Sequence, residues 1–181
     1  MRQRTRASLI PGRRGFTLIE LVAVMVVFSA LAISAAPAVR SMASAREGAM
    51  SRQLVRLLEL ARAHATASGQ PTGLVYDSDA GSFQLRRIAT EGAAPTPVPD
   101  PLGATFDDLS LAVEYPSVTV TGFTTGDGDA ANQCVWFSFN GTPEIRDGAG
   151  VYISDFTQDA VITTSGAHAV TIRMSTGAIE G

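Results

Sequence analysis

Between Phe16 and Ala36 the chain reads FTLIELVAVMVVFSALAISAA, 21 residues with a single charge, Glu20. As an α-helix such a run is about 32 Å long, enough to cross a bilayer core of roughly 30 Å. A soluble protein could hold it only by wrapping it on all sides, and no later segment is apolar enough to do so. Five arginines and no acid precede the run. The positive-inside rule therefore places residues 1–15 in the cytoplasm and the remainder outside. All 14 basic residues are arginine, and after residue 15 nine of them face seventeen acids, a net charge of −8. A basic header on an acidic body reads as an address or an anchor.

Three uses of this N-terminus compete. A cleaved secretory signal would be cut at Ser34-Ala35-Ala36, but Pro37 follows directly and the apolar run is long for that purpose. A twin-arginine signal has its pair in Arg13-Arg14, but an acid inside the apolar stretch fits it poorly. The third use accounts for the acid. A carboxylate in a membrane helix is costly, about 2.5–3.5 kcal/mol at mid-bilayer and less near the end, so it must be compensated. A cut between Gly15 and Phe16 removes all five leader arginines and frees an α-amine about one helical turn from Glu20. Two such helices packed with an axial offset can pair the amine of one with Glu20 of the other.

Arg14-Gly15-Phe16-Thr17-Leu18-Ile19-Glu20-Leu21 resembles the cleavage and methylation signature of type IV pilins and type II secretion pseudopilins. The resemblance implies a prepilin peptidase that cuts after Gly15 and N-methylates Phe16. It also implies a role for Glu20 in recruitment into a filament of other pseudopilins or pilins.

Pro37 removes an amide from the helix and should kink or locally melt it. Beyond it Met50, Leu54, Leu57, Leu58, Ala61 and Ala65 form an apolar stripe at helical spacing. Arg52, Arg56, Glu59 and Arg62 fall off the stripe and read as a solvated face. Ser68-Gly69-Gln70-Pro71 is a stop signal. The expected organisation is a cytoplasmic leader over 1–15, a transmembrane helix over 16–36, an amphipathic stalk helix over 37–68 and a β-rich periplasmic head over 69–181.

In the head, Leu74-Val75-Tyr76 and Phe83-Gln84-Leu85 flank a turn and read as a hairpin. Further strands are expected at Leu111–Val113, Val118–Val120, Val135–Phe139, Val151–Ile153 and Ala169–Ile172. Pro95, Pro97, Pro99 and Pro101 alternate through what should be an exposed, extended loop. Asp77-Ser78-Asp79 fails as a calcium loop, because Ile88 stands where the bidentate Glu belongs. Asp127 and Asp129 could hold a cation, though an acidic surface loop explains them. The hairpin, the Val135–Gly141 run and the late strand near Thr176-Gly177 resemble the minor pseudopilin H (GspH) and FimT-type heads. That resemblance implies an α+β, pilin-like fold: a long N-terminal helix packed on a small antiparallel β-sheet head.

The residue inventory starves catalysis. There is one cysteine, Cys134, and there are two histidines, His64 and His168, in no spacing that suggests a triad. The absence of lysine excludes a P-loop or a Schiff base. No enzyme activity, cofactor or metal is expected. The reading is a minor pseudopilin of a type II secretion pseudopilus, anchored by a single pass in inner-membrane lipid. The alternative is a FimT-like type IV minor pilin acting in pilus assembly or DNA uptake. The acidic body and Glu180 near the end disfavour nucleic acid, because phosphate contacts dominate such affinity.

Overall fold

The computed structural model describes residues 17–100, 102–128, 133–166 and 168–181, with the side chains of 35–40 also outside the described set. The chain divides into two compact units, residues 1–40 and 41–181. Helix α1 runs from Leu18 to Ser68 and is continuous through Pro37, so Pro37 does not melt it locally. A proline costs one backbone bond, and the turns on either side retain theirs. The helix ends at the stop signal: Gly69 has φ +69° and its amide donates to the Ala65 carbonyl at 3.0 Å.

In the second unit, the stripe of α1 is the centre of the core. Met50, Leu54, Leu58, Ala61 and Ala65 are fully buried, while Leu57 is only partly so. They pack in one cluster with two antiparallel sheets, which fixes an α+β fold. The large sheet is built from β1 (Thr72–Asp77), β2 (Ser82–Arg87), β3 (Thr96–Pro97), β4 (Leu109–Ser110), β6 (Cys134–Phe137), β7 (Pro143–Arg146) and β8 (Tyr152–Asp155). Its order is β3-β2-β1-β6-β7-β8, with β4 also on β2. The small sheet has the order β11-β10-β9-β5, from β5 (Val120–Thr124), β9 (Ala160–Thr164), β10 (Ala169–Ile172) and β11 (Ile179–Glu180).

Strand alternation gives the large sheet two faces. Leu74, Leu85, Val135, Phe137 and Ile145 belong to the core cluster. Directly paired residues share a face, and pairing runs from Arg86 through Gly73, Trp136 and Glu144 to Asp155, so these five form a row on the opposite face. The β1–β2 hairpin forms as expected, from Thr72↔Arg87 to Asp77↔Ser82. Its turn uses Asp77 as a cap, with Oδ1 accepting the amides of Asp79 and Ala80 at 3.0 and 2.9 Å.

Two expectations fail for readable reasons. Leu111–Val113 is not a strand but the start of a one-turn helix, α2 (Leu111–Glu114). Only Leu111 of that triplet is buried, and the triplet lacks the alternation a half-buried strand needs. The proline-rich stretch is not merely an exposed loop. Thr96–Pro97 pairs with β2 as an edge strand of the large sheet, the Val98 amide donates to the Leu85 carbonyl at 3.2 Å, and Val98 is fully buried. Prolines at alternate positions leave the intervening amides free for an edge ladder.

Candidate functional site

The first described residues build a closed helix N-terminus. The Thr17 amide and hydroxyl both donate to Glu20 Oε2, at 2.8 and 2.9 Å, and the Glu20 amide donates back to the Thr17 hydroxyl at 3.3 Å. This is a capping box, in which Ser/Thr and a Glu three residues later satisfy otherwise unpaired amides reciprocally. The pattern Thr17-x-x-Glu20 is the sequence signature of such a box. Gly15 and Phe16 lie outside the described residues.

After the cap, the helix presents apolar side chains all round. Leu18, Ile19, Leu21, Val22, Val24, Met25, Val26, Val27, Phe28, Leu31 and Ile33 are all exposed. The two hydroxyls in this stretch are satisfied inside the helix: Ser29 donates to the Met25 carbonyl and Ser34 to the Ala30 carbonyl, each at 2.8 Å. Among the described residues no helix is long and apolar enough to cross a membrane. The apolar surface is described from Leu18 to Ser34 only, about 26 Å of helix against a bilayer core of roughly 30 Å. The expected span of 16–36 therefore extends past the described side chains at both ends.

The other candidates do not converge. His64 Nδ1 lies 3.0 Å from the Thr72 hydroxyl, a link between the end of α1 and β1. Burial, with help from the Arg87 charge, holds the His64 pKa below its ordinary value. His168 is exposed just before β10. Burial pushes the Cys134 thiol up to about 11, against a hydrogen bond with Trp136, so it is not ionised at neutral pH. Asp127 accepts from the Thr125 hydroxyl at 2.5 Å, and Asp129 lies outside the described residues. Among the described residues no group of three or more His, Cys, Asp or Glu side chains is placed to hold a metal ion.

Arg62 departs from the solvated-face expectation. Its Nε donates to the Gly141 carbonyl at 3.1 Å and its Nη2 to the Thr176 carbonyl at 2.9 Å, tying α1 to one turn of each sheet region. Arg52, Arg56 and Glu59 are exposed as expected.

Residues 10–36 match the family described as the prokaryotic N-terminal methylation motif. The chain carries that motif. The match covers the Gly15-Phe16 junction, the Thr17–Glu20 cap and the apolar helix that follows. No curated protein matches the sequence. Among solved structures the fold is similar to that of the minor pseudopilin EpsH from the Type 2 Secretion System of Vibrio cholerae. The TM-score is 0.49 at 13% identity, over 75% of this chain and 94% of that one.

Proposed function

We propose that this chain is a minor pseudopilin of a type II secretion pseudopilus. It is stored in the inner membrane with residues 1–15 in the cytoplasm and residues 69–181 in the periplasm as a head, the helix over 16–36 and the stalk over 37–68 lying between. A prepilin peptidase cuts between Gly15 and Phe16 and methylates the new amine, and the subunit then joins a short periplasmic filament of other pseudopilins. The observation that carries this reading is the methylation motif over residues 10–36.

The capping box adds a step to the mechanism. In the single subunit, Glu20 already has an internal partner in Thr17. This lowers the cost of holding a carboxylate at the membrane surface before assembly. Cleavage frees the Phe16 amine about one turn away. On assembly an amine from a neighbouring helix competes for Glu20. In lipid an ion pair is worth far more than a neutral hydrogen bond. Thr17 thus parks the charge and the neighbour claims it. The head serves as a packed structural body, and no chemistry is asked of it.

Glu20→Ala tests assembly separately from processing. The variant should insert and be trimmed, yet be lost from the sheared filament fraction. Normal recovery of Glu20→Ala in that fraction sinks the assembly role. In a strain lacking the chain, secreted enzymes should accumulate in the periplasm. Normal secretion with loss of pili would instead move the protein to a type IV pilus.

A further inference from the structure

On the face of the large sheet turned away from α1, one segment of chain lies against the β7–β8 hairpin. After β2, Ile88 is buried, and the backbone then runs to the β7–β8 hairpin before returning to pair Thr96–Pro97 with β2. Near that hairpin a Cβ built on Gly150 would lie 2.8 Å from the Ala93 carbonyl and 3.0 Å from Ile88, so strap and hairpin are in close contact. Trp136, on the same face of the sheet, is only 2% exposed yet outside the main core cluster, as is Ile88. Trp136, Cys134, Val75 and Pro95 line a cleft of about 330 Å³ whose rim includes Asp77 and Asp147.

The far end of this segment is held by one side chain, Glu91. Its Oε2 accepts from Arg146 Nη1 at 2.8 Å, and its Oε1 accepts the Tyr152 amide at 2.7 Å. Arg146 is itself buried, donating also to Glu144 Oε1 at 2.6 Å and to the Gly150 carbonyl at 2.7 Å. Asp155 stands opposite Glu144 on β8. Two carboxylates thus share one guanidinium, with a third nearby, and the clasp is electrostatically contested. Tyr152 begins β8, the edge strand of the sheet, so Glu91 also covers a backbone donor that an edge would otherwise offer to another chain. Between the buried anchors Ile88 and Val98, most of the segment is exposed.

We propose that residues 89–95 form a hinged strap, fastened at its tip by Glu91. The strap lifts as a unit and uncovers Trp136 together with the edge amide of Tyr152. The hinges are the chain next to Ile88 and Val98, which stay packed while the tip moves. Such a strap sits at the low-stability end of the molecule, with most of its residues exposed and its tip tied by Glu91.

Trp136 is the one tryptophan of the chain, so it reports the strap directly. In the full chain held in detergent micelles, Glu91→Ala should raise the acrylamide quenching constant of Trp136 at least about twofold, with far-UV circular dichroism unchanged. Quenching equal to that of the unaltered protein, in a folded variant, overturns the proposal. Should Glu91→Ala fail to fold, amide exchange of the unaltered chain decides. The Tyr152 amide should exchange through local opening, well ahead of the Leu74 amide in the sheet interior. Exchange of both only on global unfolding overturns the strap.

Discussion

Gly73 is the second residue of β1, a strand paired on both sides by β2 and β6, where a glycine weakens a strand unless something needs the room. What needs it is the Trp136 indole. A Cβ built on Gly73 would lie 2.7 Å from two indole carbons and 2.5 Å from the Val135 carbonyl oxygen. The carbonyl is backbone of the paired strand and cannot swing aside, so the added carbon must displace the indole. Gly73→Ala should therefore behave as overpacking and cost about 1–3 kcal/mol. For a chain of this size that lowers Tm by about 2–12 °C, at 2–4 °C per kcal/mol. Thermal melts followed by circular dichroism and by Trp136 emission measure it, and the emission should shift because the indole is displaced. Gly148→Ala, where no atom lies within 4 Å of the added carbon, is the control and should melt with the unaltered protein. A Gly73→Ala melting point within 1 °C of the control refutes the claim that the indole fixes this glycine.

Leu54, fully buried where α1 meets the sheets, should cost about 2–5 kcal/mol on truncation to Ala, read from urea midpoints; a loss below about 1 kcal/mol contradicts its place in the core. Arg62→Ala removes two hydrogen bonds to turn carbonyls and, allowing for partial solvent screening, should cost about 1–2 kcal/mol, whereas exposed Arg52→Ala should stay within about 0.5 kcal/mol. The folded-state pKa of His64 is depressed, chiefly by burial, so the neutral ring is favoured in the folded state. Its stability contribution is present above the ordinary histidine pKa of about 6.5 and is lost as pH falls through the lower folded value. His64→Gln should flatten the acid side of the stability profile in that window, and a profile identical to the unaltered protein's rules His64 out as its source.

The elements legible in the sequence were those with a strong period or punctuation. The stalk stripe at 3.6 spacing and the Ser68–Pro71 stop signal gave the end of α1 to the residue. The hairpin around Asp77–Gly81 was readable because its turn residues are chemically specific. Leu111–Val113 misled because three apolar residues carry no period. The proline stretch misled because a rule about prolines in ladders says little of the amides between them. At the N-terminus, Glu20 stood out by its cost in lipid, while its partner Thr17 needed only a three-residue count. The strap was beyond sequence reasoning altogether: Glu144 and Arg146 stand two apart on β7, but nothing local links Glu91 to either of them.

The account rests on a trimmed N-terminus whose amine can meet Glu20 in a neighbouring helix. Mass spectrometry of the N-terminal peptide, from protein taken out of its own cell's membranes, tests this most directly. The account predicts that the first residue is Phe16 and that its amine carries one methyl group. A chain beginning at Met1, or one starting beyond Ala36, contradicts it.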